Sequence, residues 1–285
     1  MKGWLLLRRL FAAAPLPFLG GCDALRLGFL NAAGPVAGGE KHLFIIVSLV
    51  LIFVAGPVLL LTPIIAWHYR LSNKNSAYKP KWEFSWPLEG LIWIPPSGIV
   101  IGLAFLLWTY THRYDPYAPI QSPLPTIEVQ AVGLDWKWLF IYPDSGIAAV
   151  NQLAIPVGQP VHIRLTSGTV MQSLLVPQLA GQVYAMAGMT TELNLAADRP
   201  GTFAGENTQF NGTGFQHQKF AVVSLPPDEY GQWIARVRES SHPLDAAAYA
   251  GLFEKSVSSS PIFYSSAPPD LFQNILARSR SGVAQ

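Results

Sequence analysis

Residues 166–179, T-S-G-T-V-M-Q-S-L-L-V-P-Q-L, and residues 200–220, P-G-T-F-A-G-E-N-T-Q-F-N-G-T-G-F-Q-H-Q-K-F, decide how this chain is read. Each is a strand-like apolar run broken by Gly, Pro or Asn, and each leads through a loop rich in amides. Gln172 stands in the first, and Asn207, Gln209, Asn211 and Gln218 stand in the second, with Phe215 and His217 among them. A thiolate copper site draws on soft Cys sulfur, imidazole nitrogen and often a weak Met. Across these two segments there is no Cys and a single His, His217. Amides are poor copper ligands and a phenyl ring has no lone pair, so the stretch has the outline of a metal loop without the donors.

Working outward, period-two alternation begins at Thr126. Ile127, Val129 and Ala131 alternate with Glu128 and Gln130, and Val161, Ile163 and Leu165 alternate with His162, Arg164 and Thr166. Short strands with turn residues recur to Leu225, which predicts an all-β sandwich or barrel over 126–225. About 100 residues suffice to bury a core. A Pro-rich linker, 113–125, precedes it. Beyond Pro226-Pro227, residues 226–285 read as a helical, aromatic-rich extension. Helices are expected at 228–240 and 244–257, with a break at 258–261. A last helix carries Leu271, Phe272, Ile275 and Leu276 on one stripe, and residues 279–285 are expected to fray.

On the other side lie two uncharged or nearly uncharged apolar runs, about 43–67 and 88–110. Each is long enough to cross a hydrocarbon core of ~30 Å. Pro57 and Pro63 in the first and Pro95-Pro96 in the second should kink them, which membrane helices tolerate. Residues 43–112 thus read as a transmembrane hairpin. Its connecting loop, with Arg70, Lys74, Lys79 and Lys81, belongs in the cytoplasm by the positive-inside rule. Residues 1–21 have a basic start and a ten-residue apolar core, too short to span and typical of a signal peptide. They end in Leu19-Gly20-Gly21-Cys22, which resembles a bacterial lipobox; that resemblance implies acylation of Cys22, and Asp23 after it implies retention at the inner membrane. Residues 22–42 then form an outer-face segment. A lipidated Cys22 and a cytoplasmic loop agree in placing everything after about Tyr114 in the periplasm.

Composition sets the class. Hydrophobic residues make up 50% of the chain and charged residues 13%, which points to a membrane-embedded part. A net charge of +2 without a Lys/Arg cluster gives no footing for nucleic acid. One cysteine excludes an intrachain disulfide.

Three further stretches complete the pattern: D-W-K-W-L-F-I-Y-P at 135–143, V-M-Q-S at 170–173 and V-Y-A-M-A-G-M at 183–189. With P-D-L-F near the C-terminus, they make nearly the whole mature chain resemble subunit II of the haem–copper oxidases, specifically that of bo-type ubiquinol oxidases. The resemblance implies a membrane-anchored chain with a two-helix hairpin, an all-β cupredoxin-like Greek-key sandwich and C-terminal helices. Copper-bearing relatives hold a binuclear centre with a His in V-x-H-S and a C-x-E-x-C-x-x-x-H-x-x-M segment. On that pattern Gln172 stands at the first His, and Asn207 and Asn211 at the two cysteines. Gln209 stands at the Glu, Phe215 at the second His and Gln218 at the Met. These are degenerate positions, not ligands, and no metal is expected on this chain. His217 falls between ligand positions and reads as a surface or strand residue. Trp136 and Trp138, near electron entry in copper-bearing relatives, read here as packing residues. The sequon at Asn211-Gly212-Thr213 carries little meaning in a bacterial protein.

The resemblance further implies a non-catalytic subunit of a proton-pumping complex that oxidises ubiquinol and reduces dioxygen. Haems and copper would sit in subunit I. Partners would be subunit I, further small subunits and membrane lipid, with ubiquinol met through the complex and no role for cytochrome c. Two rivals stand beside it: a copper-bearing cytochrome c oxidase subunit, and a stand-alone membrane-anchored periplasmic binding or assembly module. Glu89, in P-L-E-G-L-I-W where the second span leaves the cytoplasmic face, is the one residue with a candidate chemical role. The family associates this position with a proton-channel entrance, and ionisable groups at such depth are commonly tied to proton paths. A first-turn carboxylate favoured by the helix dipole is the alternative.

Overall fold

The structure, a computed structural model, describes residues 28–74, 81–258 and 260–281. The signal peptide over 1–21, the acylation expected at Cys22, Lys79 of the connecting loop and residues 282–285 lie outside the described residues. The chain divides into two compact units, one of Gly39–Asp115 and one of Pro116–Gln285 together with the segment ending at Gly38.

The larger unit is a β sandwich. Its six-stranded sheet contains β1 (Ile127–Leu134), β2 (Lys137–Tyr142), β3 (Ile147–Val150), β5 (Val161–Ser167), β8 (Thr191–Leu195) and β11 (Ile262–Tyr264) in the order β11-β3-β2-β1-β5-β8. Its five-stranded sheet orders β4 (Gln152–Pro156), β6 (Gln172–Val176), β7 (Ala180–Ala185), β9 (Gly201–Asn207) and β10 (Lys219–Leu225) as β4-β10-β9-β6-β7. Pairing is antiparallel except for β1 with β5 and β4 with β10.

Strand β2 explains the layering. Every one of its residues is buried, yet successive side chains of a strand point to opposite faces. Trp138, Phe140 and Tyr142 therefore enter the core between the sheets, where Phe140 and Phe220 rings lie 5.2 Å apart. Leu139 and Ile141 face the other way, into a second core closed by the C-terminal extension. Its elements are α3 (Pro227–Arg238), α4 (Ala246–Phe253), β11 and α5 (Leu271–Arg280). The stripe of α5, Leu271, Phe272, Ile275 and Leu276, is wholly in that second core. Burying one such side chain favours the fold by about 1.5–3 kcal/mol. Helix α3 takes the other route and sends Trp233 and Val237 into the core between the sheets.

In the larger unit several boundaries differ from the sequence reading. Residues 29–38 are not a separate segment but part of the sandwich unit: Ala33 N donates to Gln178 O at 2.7 Å and Asp198 N to Ala33 O at 2.7 Å. A Cβ on Gly34 would lie 2.2 Å from the Ala196 carbonyl oxygen, so only glycine permits this approach. The helix expected over 244–257 is shorter, Ala246–Phe253, because the following chain turns to meet β2. The break at 258–261 opens into β11, which pairs Phe263 with Ala149. Ser279 and Arg280, expected to fray, are helical, and Arg280 Nε donates to Gly188 O at 2.8 Å.

The smaller unit is a hairpin of α1 (Pro35–His68), from Gly39 onward, and α2 (Trp86–Arg113). Both extend beyond the expected spans of 43–67 and 88–110, since the backbone ladder continues into flanks that hydropathy does not count. At 34 and 28 residues both are long and apolar enough to cross a membrane. His42 Nδ1 and Tyr110 Oη, 2.8 Å apart, tie the two helices together.

Candidate functional site

Three adjacent strands of the five-stranded sheet deliver the amides to one place. Gln172 opens β6, Asn207 closes β9, and Gln218 precedes β10. All three are buried, at 0%, 4% and 1% exposure, too little for water to satisfy their amides. They satisfy one another instead. Gln218 Oε1 accepts from Asn207 Nδ2 at 2.9 Å and from Asn211 Nδ2 at 2.7 Å. Gln218 Nε2 donates to Gln172 Oε1 and to the Leu134 carbonyl. Gln172 Nε2 donates to the same Leu134 oxygen at 3.2 Å and to Thr169 Oγ1 at 3.2 Å. Since Leu134 lies in the opposite sheet, the amides rivet the two sheets at one end of the sandwich.

Asn207 is saturated. Its Oδ1 accepts from Ser173 N at 2.9 Å and Gln209 N at 3.0 Å, and its Nδ2 donates to the Gln209 carbonyl at 2.8 Å as well as to Gln218. An Asn side chain can make four such bonds, and here all four are made. Gln209 takes part through its backbone. Asn211 Oδ1 is the one amide atom of the network that is buried without a partner. Gly133 makes room: a Cβ there would come within 2.7 Å of Gln172 Oε1.

Aromatics seal the rim. Trp136 holds a left-handed backbone, φ 66°, which costs a non-glycine residue about 1–2 kcal/mol. In return its ring lies against Gly214 and its indole N–H donates to the Asn211 carbonyl at 3.3 Å. Phe215, half-buried, meets the Phe210 ring at a tilt, with centroids 5.7 Å apart. His217 is exposed on a 3-10 turn, Phe215–His217, outside the network. Trp138 is fully buried and packs near Phe220.

This donor set does not fit a copper pair. Its atoms are hard amide oxygens and non-basic amide nitrogens, already committed to one another, with no thiolate and no imidazole among them. What it can do is hold the two sheets in register. Among the described residues no cluster of three or more His, Cys, Asp or Glu could hold a metal ion.

Sequence reasoning missed Lys137. It is 2% exposed, and its Nζ donates to Leu252 O at 2.9 Å, Glu254 O at 2.7 Å and Ser256 Oγ at 2.7 Å. Burial pulls its ammonium below the ordinary 10.5, opposed by the carboxylates of Asp135 and Glu254. Asn151, at φ 57°, adds a second tie, accepting from Trp138 N and donating to Ser258 O at 3.0 Å. The available signal was a lysine at the start of a strand otherwise composed of apolar residues. Elsewhere, Glu89 occupies the first turn of α2, its N–H donating to Ser85 O at 2.9 Å, and its Oε2 accepts from Trp93 Nε1 at 3.1 Å.

Comparison with known proteins follows the same lines. The family described as cytochrome c oxidase subunit II, periplasmic domain, matches residues 146–224, and the COX aromatic rich motif matches residues 238–279. Cytochrome bo(3) ubiquinol oxidase subunit 2 of Pseudomonas putida is 41% identical over 92% of this chain and 84% of its own length. The protein of that name from Pseudomonas aeruginosa is 39% identical over 93% of this chain and 79% of its own. Ubiquinol oxidase subunit 2 of Acetobacter aceti is 40% identical over 99% of this chain and 92% of its own.

Proposed function

This chain belongs to the ubiquinol oxidase subunit 2 family, and we propose that it serves as the copper-free subunit II of a proton-pumping ubiquinol oxidase. The observation that carries the reading is the amide network of Gln172, Asn207, Asn211 and Gln218, at the positions that the resemblance aligns with copper ligands. A domain so built cannot relay electrons from a soluble carrier. Electrons enter instead from a membrane quinol at a haem-bearing subunit I, which also holds the copper of the oxygen-reducing site. This chain covers and supports that subunit, alongside further small subunits. It sits in the bacterial inner membrane by α1 and α2, with the sandwich in the periplasm and Cys22 acylated. Glu89 lies at the cytoplasmic entrance of a proton path shared with subunit I.

The test is recovery of the complex through an affinity tag on this chain after mild detergent extraction. A haem-bearing, many-span partner that consumes oxygen with ubiquinol is the expected result. Recovery of this chain without haem would favour a stand-alone periplasmic module instead.

A further inference from the structure

The first two turns of α2 carry one carboxylate on a largely apolar helix, in a stripe it shares with an indole. Glu89, Ile92 and Trp93 stand at i, i+3 and i+4, so they share one helix face. The indole N–H of Trp93 donates to Glu89 Oε2 at 3.1 Å. Trp93 is two-thirds exposed, so nothing in its own chain packs it into this role.

The stripe has a second, independent feature. In an α-helix the Ile92 carbonyl would accept from residue 96, and in a 3-10 turn from residue 95. Both are proline, Pro95 and Pro96, and neither has an N–H. The Ile92 carbonyl is therefore left without a donor of either helical pattern, one turn above the Glu89 carboxylate. Hydrocarbon cannot satisfy such a group, so Ser97 of the same helix, a neighbouring chain or water has to serve it.

We propose that Trp93 is a positioning residue for Glu89: its indole holds the carboxylate on the face of α2 that meets a hydrated path, with the Ile92 carbonyl as the next acceptor along it. This rests on the reading of Glu89 as the proton entrance. A bland i,i+4 pair would stabilise the helix slightly and affect nothing else.

The assembled complex decides between them through a double-mutant cycle of Trp93→Phe and Glu89→Gln. Steady-state ubiquinol oxidation is counted per haem, so loss of assembled complex does not enter. Phe keeps the ring and removes only the donor. The expected result is that Trp93→Phe lowers kcat by about tenfold, the worth of a hydrogen bond to a charged group, with KM for quinol unchanged. In the Glu89→Gln background the same change should have almost no effect. If Glu89→Gln lowers turnover but Trp93→Phe leaves it unchanged, or lowers it equally in both backgrounds, the positioning role is wrong and the proton-entrance reading stands. If Glu89→Gln leaves turnover unchanged, the entrance reading fails and the positioning role goes with it.

Discussion

Gln218 Oε1 lies 2.9 Å from Asn207 Nδ2, and this contact joins the strand that ends at Asn207 to the strand that follows Gln218. The same oxygen also accepts from Asn211, so two of the degenerate positions converge on the side chain of a third. In a water-excluded site each missing partner leaves a buried polar group unpaired, as Asn211 Oδ1 already is, so further losses are costly.

Asn207→Leu keeps the branched outline and removes all four side-chain hydrogen bonds. It strands the N–H groups of Ser173 and Gln209 and one lone pair of Gln218. The expected loss is about 2–4 kcal/mol, read as a lowered unfolding midpoint of the detergent-solubilised complex. Gln209→Ala, which leaves the backbone contacts in place, should stay within about 0.5 kcal/mol of the parent. Equal effects at the two positions would mean that the network is not what holds this end of the sandwich.

Lys137→Met preserves the aliphatic stem and deletes three hydrogen bonds to the chain at 252–256. It should cost about 2–3 kcal/mol and release the segment after α4. Limited proteolysis of the purified complex checks this, with faster cleavage near residues 254–258 as the expected outcome. Lys137→Arg should not restore protection, since the larger fork does not fit a site with three convergent acceptors.

Alkaline pH probes the sandwich core. Tyr142 Oη donates to Ala154 O at 3.0 Å and accepts from Ala154 N at 2.8 Å, and burial pushes its phenol well above the ordinary range. Burial, with help from Asp144, drives Tyr230 from 10.0 up to about 12. Folded phenols thus stay protonated where unfolded ones ionise. The contribution of Tyr230 is fully present below pH 10 and lost as pH climbs from 10 through about 12. The slope is about 1.4 kcal/mol per pH unit for each such tyrosine. Ultraviolet phenolate absorption and loss of circular dichroism should rise together in that window. Tyr142→Phe should lower stability at neutral pH by about 1–3 kcal/mol and flatten the alkaline slope.

The features legible in the sequence were those with a strong local signature. Two apolar runs announce α1 and α2, alternation announces β1 and β5, and the stripe of Leu271, Phe272, Ile275 and Leu276 announces α5. The amide positions were singled out by the resemblance to a copper-ligand pattern, and their residue types alone argue against soft-metal chemistry. Their mutual bonding was not legible, since Gln172 and Gln218 lie 46 residues apart and meet only when β6, β9 and β10 assemble. Three-residue β11 was missed for the same reason: I-F-Y has no pattern of its own and is a strand because the β3 edge is free to pair with it. Lys137 misled because a lysine is ordinarily an exposed residue; only the returning C-terminal chain supplies the carbonyls that let it be buried.

The most direct test of the central claim is oxygen consumption by the complex isolated through this chain, measured with ubiquinol or with reduced cytochrome c as the sole donor. Turnover with ubiquinol and none above background with cytochrome c is the predicted result. Oxidation of cytochrome c at a comparable rate would mean that electrons do pass through the periplasmic domain, and would contradict the account.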